Sequence, residues 1–324
     1  TVTQVALSCG VQNVLSTVVL CSDGTVHSCG YNAYGQLGNG STTNSSRFAQ
    51  LPVLANITQI ASGREAYTSY YAITSAGALY SWGYNGDGQL GDGGTTNATI
   101  ATLRAGGTLS GKTIRAVYAG PNYAMAVDSL GNLHAWGTNS YGQLGNGTLS
   151  NQFTPVQSVA TGVSDVYIGQ YDYPITYIKK TDNSLWACGY GDYWGNGVTP
   201  AATNTGTFTQ IPFGGTGITK AIHGGNGTYN FGAALLTTGV VRVWGYNGNG
   251  ALGVGDTTTR TNANSLMLTG NRTVVDICAY GSSSEQGIVM LLDDGQLWAV
   301  GYGGGSQLPE DDSETSYTPM PVVF

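Results

Sequence analysis

Short runs in which apolar and polar residues alternate recur along the chain, and each is stopped by glycine. Ile57-Thr58-Gln59-Ile60-Ala61-Ser62 before Gly63 is one, and its counterparts end at Gly10, Gly120, Gly169, Gly224 and Gly281. Alternation with a period of two predicts half-buried β-strands, and no window carries the 3.6-residue apolar stripe of a capped helix. A second run, such as Tyr71-Ala72-Ile73-Thr74, enters a tight turn. That turn is Asp23-Gly24, Ala76-Gly77, Leu130-Gly131, Asp182-Asn183, Thr238-Gly239 or Asp294-Gly295. Gly or Asn recurs there because two-residue hairpin turns need positive φ, which a Cβ resists.

A third run follows each turn and carries a signature. It reads Val26-His27-Ser28-Cys29-Gly30-Tyr31-Asn32, then LYSWGYN at 79–85, LHAWGTN at 133–139, LWACGYG at 185–191, RVWGYN at 242–247 and LWAVGYG at 297–303. The shared glycines, Gly30, Gly83, Gly137, Gly189, Gly245 and Gly301, stand 53, 54, 52, 56 and 56 residues apart. Six repeats, approximately 1–56, 57–112, 113–163, 164–217, 218–272 and 273–324, therefore fill the sequence.

Short strands of this kind cannot bury a face alone, but radially stacked sheets cover one another and protect their edges. The expectation is an all-β chain, a single β-propeller over 1–324 with six four-stranded blades. The residue before each shared glycine (Cys29, Trp82, Trp136, Cys188, Trp244 or Val300) is expected to plug the space between blades. Cys278 aligns with Leu7, Ile60, Val117, Val166 and Ala221 and is expected in the core.

Composition narrows the function. Charged residues make up 9% of the 324, against about 25% in an ordinary soluble domain. Polarity comes instead from 39 Thr, 25 Ser and 22 Asn. A net charge of −7 leaves no basic stripe for a phosphate backbone, so no nucleic-acid partner is expected. No apolar run approaches the ~20 residues of a membrane-spanning helix. The chain starts at Thr1 without a signal-peptide pattern, which suggests a processed product or a fragment. Five cysteines without a CxxC pair indicate neither a zinc site nor a dense disulfide framework.

WGYNGDGQLGDG at 82–93 and WGTNSYGQLGNG at 136–147, with the variants CGYNAYGQLGNG at 29–40 and WGYNGNGALGVG at 244–255, resemble the regulator of chromosome condensation repeat family. The fourth and sixth repeats depart from it with CGYGDYWGNG at 188–197 and VGYGGGSQLPED at 300–311. The resemblance implies a propeller, and because the family usually has seven blades it leaves open a seventh supplied by a neighbouring chain. It does not imply an activity. Members that act as guanine-nucleotide exchange factors use charged loops and a basic tail, and the ultraviolet-B photoreceptors use repeated Gly-Trp-Arg-His-Thr motifs. Neither feature is present here.

Candidate chemistry is sparse. His27 and His134 share a repeat position with Tyr80, Trp186, Arg242 and Trp298, which reads as packing. No Ser-His-Asp set or metal-spaced His pair accompanies them or His223. The acidic group Glu310, Asp311, Asp312 and Glu314 reads as a solvated loop. Seven Asn-x-Ser/Thr sequons start at Asn39, Asn44, Asn56, Asn97, Asn146, Asn226 and Asn271; against the about four that this composition gives by chance, seven is not evidence for glycosylation. No cofactor, metal or catalytic residue is expected. The loops between first and second strands vary while the scaffold repeats, and they are rich in tyrosine. Tyr67, Tyr123, Tyr171, Tyr173 and Tyr229, with Glu65 and Asp172 as polar anchors, are the expected contact face.

The function expected from these features is non-enzymatic. It is a binding or adhesion propeller at an extracellular or virion surface, such as a tail-fibre component, that recognises a glycan or protein receptor. One alternative is a module that docks other structural proteins of a particle or filament. The other is a glycan-processing enzyme, which would need two carboxylates about 5–10 Å apart.

Overall fold

The structure, a computed structural model, describes residues 1–8, 15–63, 67–169, 174–191, 195, 204–213, 217–225, 229–268, 272–282, 285–302 and 316–322. Strands Val2–Leu7, Ser16–Cys21, Val26–Gly30 and Ser45–Gln50 pair in that order as an antiparallel meander. The same four-stranded meander recurs over 57–104, 114–157, 163–211, 218–265 and 274–321, making six blades. The hairpin turns take the expected conformation: φ is +78° at Gly24 and +63° at Asn183, which substitutes for glycine in the fourth repeat. Two compact units divide the chain, Thr1–Ser164 and Asp165–Phe324, with three blades each.

Within each unit the second strands form the centre of the packing. In Ser69–Thr74, Tyr70 and Ala72 join Val18, Leu20 and Val26 of the first blade, whereas Tyr71 and Ile73 join Ile114, Val117 and Ala124 of the third. Successive side chains point to opposite faces, so one strand serves two interfaces. In the other unit, Ala234 and Leu236 pack towards the fourth blade while Ala233 and Leu235 pack towards the sixth. The fourth strands are sheet edges and mostly exposed.

Three of the expected plugs are fully buried tryptophans. Trp82 Nε1 donates to the Gln36 carbonyl at 2.9 Å and Trp136 Nε1 to the Gln89 carbonyl at 2.7 Å, so each indole is fastened to the preceding blade. Cys188 and Val300 are buried as expected, but Cys29 is only half-buried. Cys278 and Leu7 are exposed, which corrects the core expectation; Ile277 and Ala6 fill those slots. In the first and last blades the buried position lies four residues before the terminal glycine rather than three. A one-residue slip in a strand exchanges its two faces.

The shared glycines follow from a close approach. All six have φ between +96° and +120°. At Gly83 an added Cβ would come within 2.6 Å of the Thr68 carbonyl oxygen. That oxygen is held in place by the Tyr84 N–H at 3.2 Å. The carbonyls of Leu15, Asn122, Pro174, Asn230 and Gln286 accept in the same way from Tyr31, Thr138, Tyr190, Tyr246 and Tyr302, at 2.8–3.1 Å.

The Asn of the signature closes the long loop to the fourth strand. Asn32, Asn85, Asn139 and Asn247 are fully buried. Each Oδ1 accepts the N–H of the leucine five residues on, at 2.8–2.9 Å. Each Nδ2 donates to two carbonyls across the loop, Gly94 and Thr96 in the case of Asn85. Asn44 and Asn97 then cap the backbone N–H of Asn32 and Asn85, while Asn39 and Asn146 form Asx turns with Ser41 and Thr148. Four sequons therefore stand at loop-closing positions, a structural reason for their surplus.

Candidate functional site

The antiparallel pairing Ser69↔Gly83 brings the residue two positions before the second strand and the residue just after the third to the same sheet end. Tyr67 and Tyr84 meet there with ring centroids 5.0 Å apart. Tyr34, from the long loop of the preceding blade, stands 5.3 Å from both, and Tyr31 lies 6.2 Å from Tyr34. The second unit repeats the pair: Phe231↔Gly245 brings Tyr229 and Tyr246 to 4.8 Å. In each blade the two tyrosines are 17 residues apart, so the same stereochemistry places both pairs. Tyr67 is 47% exposed and Tyr229 38%.

The ring cluster carries its own electrostatics. Burial, with Tyr67 and Tyr31 nearby, pushes the Tyr34 phenol above its ordinary value. Burial followed by Asp87 does the same to Tyr84, and burial raises the Asp87 carboxyl. A carboxylate thus stands beside the rings, of which Tyr67 is exposed and Tyr31, Tyr34 and Tyr84 are half-buried; such a cluster can stack on and hydrogen-bond to a partner.

Of the residues expected to form the contact face, Tyr67 and Tyr229 take part in exposed ring clusters, one in each unit. Glu65, Tyr171, Asp172 and Tyr173 lie outside the described residues, as does the acidic group at 310–314. Tyr123 is a correction. It is 1% exposed and pairs directly with Gly137 inside a fully buried strand. Only two residues separate it from Gly120, whereas five separate Gly63 from the strand beginning at Ser69; in the shorter connection the third residue is already strand. Tyr31, Tyr34, Tyr84 and Tyr246 were not anticipated. The signal available was the tyrosine that follows the shared glycine in five repeats, at 31, 84, 190, 246 and 302.

The sequence profile of the Regulator of chromosome condensation (RCC1) repeat matches residues 23–66, 76–127 and 131–171, and a second profile of the same repeat matches 114–143. The chain is 26% identical over 320 residues to the Ultraviolet-B receptor UVR8 of Arabidopsis thaliana, covering 94% of this chain and 66% of the receptor. It is 28% identical over 312 residues to the E3 ubiquitin-protein ligase HERC2 of Homo sapiens, covering 93% of this chain and 6% of the ligase. It thus spans less than two thirds of both relatives. The structure of Kap60 bound to yeast RCC1 (Prp20) superposes with a TM-score of 0.72 at 17% identity, over 100% of this chain and 75% of that one. The chain carries repeats of the regulator of chromosome condensation family. Its fold is the β-propeller of that family.

In this RCC1-repeat chain two histidines are buried within the scaffold. His134 is 0% exposed; its Nδ1 lies 2.8 Å from the Thr108 hydroxyl and its Nε2 3.3 Å from Asp128 Oδ2. Burial holds the imidazole below its ordinary pKa despite the opposing carboxylate. Burial would raise Asp128, but hydrogen bonds from Asn132, His134 and Leu130 outweigh it and hold the carboxyl low. Thr108 Oγ1 also lies 3.1 Å from the Pro155 carbonyl oxygen, so these contacts tie the segment between two blades to the third blade's hairpin and last strand. His223 differs. Both ring nitrogens are shut off from solvent and without a partner, although the residue as a whole is only half-buried. Burial lowers its pKa to about 4. Among the described residues, no three His, Cys, Asp or Glu side chains converge as a metal site.

Proposed function

We propose that this propeller is a non-enzymatic binding module of an extracellular or virion surface, and that it recognises a glycan or protein receptor through its tyrosine-bearing sheet ends. The observation that carries this reading is the four-ring cluster of Tyr31, Tyr34, Tyr67 and Tyr84, assembled from two blades and partly open to solvent. Tyrosine offers a wide amphipathic contact at small entropic cost, and Asn, Ser and Gly around it supply adaptable hydrogen bonds. A surface with so few charges binds by stacking and hydrogen bonding, and screening by salt has little to act on.

Binding of the chain to arrayed glycans and cell-surface proteins tests the reading. Affinity for the target is expected to change less than about threefold between low and moderate salt. Tyr67→Ala is expected to weaken it about tenfold. A steep fall with salt, or a Tyr67→Ala chain that binds like the parent, would contradict the proposal.

A second reading, docking within a particle or filament, draws support from the edge strands. Phe48, Leu103, Phe153 and Tyr317 are apolar or aromatic and exposed there. In that reading the edge strands, rather than Tyr67, would be covered by neighbouring chains.

A further inference from the structure

Gln36, Gln89 and Gln143 hold the same place in the first three repeats, and each side-chain Oε1 accepts a backbone N–H two residues earlier. The donors are Tyr34 at 2.9 Å, Asp87 at 2.9 Å and Tyr141 at 3.0 Å. Because the donor is an N–H, the oxygen must face it, which settles which side of each amide carries the NH2 group. In the third repeat that NH2 group donates to the Thr138 hydroxyl at 3.2 Å. Position 138 follows the shared glycine, and its equivalents are Tyr31 and Tyr84. These have no short hydroxyl at that place; their rings belong to the aromatic cluster. Gln36 and Gln89, 0% and 1% exposed, are left with Nε2 atoms that are buried and unpartnered.

Buried amide donors are nearly always satisfied, and an unmet one marks a place where something is missing. Here two such donors occur in the two blades that build the ring cluster, two residues along the chain from Tyr34 and Asp87. The rings, 5.0–5.3 Å apart, touch one another and leave no cage for a quaternary ammonium ion between them. They form a stacking platform instead. What this surface lacks is a neutral partner with an apolar C–H face, oxygens that accept from the amides, and hydroxyls that donate to a carboxylate.

We propose that Tyr31, Tyr34, Tyr67 and Tyr84, with the Gln36 and Gln89 amides held against the backbone of Tyr34 and Asp87, bind a neutral oligosaccharide. Sugar C–H faces stack on the rings, and sugar oxygens accept from the two NH2 groups. Asp87 accepts from a sugar hydroxyl. Tyr84 lies over Gly86, where a Cβ would collide with its ring and hydroxyl; for a sugar to reach the buried Gln89 amide the ring must swing aside. The inference rests on the reading of the tyrosine ends as the working surface and names the ligand class for one of them.

The test titrates the full chain with maltohexaose, cellohexaose and chitohexaose by calorimetry. At least one is expected to bind saturably, and Tyr67→Ala to weaken that binding about tenfold. The decisive variant is Tyr84→Thr, which copies the third repeat. It gives Gln89 its hydroxyl, so the chain is expected to melt no lower than the parent while sugar affinity falls about tenfold or more. Failure of all three sugars to bind, or binding indifferent to both substitutions, would overturn the proposal. If the sugars fail but a protein receptor binds and is weakened by Tyr67→Ala, the sugar assignment falls and the binding surface stands. If Tyr67→Ala leaves every ligand's affinity unchanged, both fall.

Discussion

Gly137→Ala is expected to lower the free energy of unfolding by roughly 3 kcal/mol or more, read as a fall in the urea midpoint. Two costs combine at this position. With φ at +102°, alanine enters a region that L-residues with a Cβ rarely adopt. The new methyl would also lie 2.6 Å from the Tyr123 Cα and overlap the Asn122 carbonyl oxygen, which is fixed by the Thr138 N–H at 2.9 Å. Neither neighbour is the tip of a flexible side chain, so the hairpin must part to accommodate it. Gly106→Ala provides the contrast. Gly106 has φ of −88° and open space where a Cβ would go, so that change is expected to be neutral or stabilising by about 0.5 kcal/mol. Equal losses from the two substitutions would show that the close approach is not what requires glycine.

The second large effect is a pH dependence set by His223. Its folded pKa is about 4 against an ordinary 6.5, because burial disfavours the charged ring. Between those values the unfolded chain binds a proton that the folded chain does not. Stability from this group is therefore complete above about pH 6.5 and is lost as pH falls towards 4. The loss between pH 7 and pH 5 should be roughly 2 kcal/mol. Burial shifts His134 in the same direction. The lowered carboxyls of Asp23, Asp182, Asp256 and Asp276 act at more acidic pH, where each adds stability that disappears as it protonates. His223→Leu removes the titrating ring and two unpartnered nitrogens together, so it should flatten the dependence between pH 7 and 5. Urea midpoints at both pH values for parent and variant decide this. An unchanged slope in the variant would assign the effect elsewhere.

The strands, hairpin turns and shared glycines were legible because each is dictated by stereochemistry within a few residues. Alternation marks a strand, and positive φ at Gly24 or Asn183 marks a turn. The exposure of Cys278 was not legible in this way, since the last blade has one more residue between the buried position, Ile277, and its glycine, Gly281, than the second blade has between Ile60 and Gly63. Tyr67 and Tyr229 stood out because their loops vary while the scaffold repeats. Tyr31, Tyr34, Tyr84 and Tyr246 sit inside the repeat signature and so read as scaffold, although the pairing of second and third strands brings three of them to the sheet ends, with Tyr34 joining from the long loop. Tyr123 was misplaced because residues were counted from Gly120 without allowing for a connection three residues shorter. The unpartnered amides of Gln36 and Gln89 depend on whether a threonine or a tyrosine stands at a neighbouring position. Only the comparison with Gln143 and Thr138 exposes them.

Hydroxyl-radical footprinting of the chain, free and saturated with the glycan or protein receptor it binds, tests most directly whether the tyrosine-bearing sheet ends are where this propeller meets its partner. Protection is expected at Tyr34, Tyr67 and Tyr84, with Phe48 and Tyr317 on the edge strands labelled as in the free chain. Protection of Phe48 and Tyr317 while Tyr67 stays fully reactive would contradict the account.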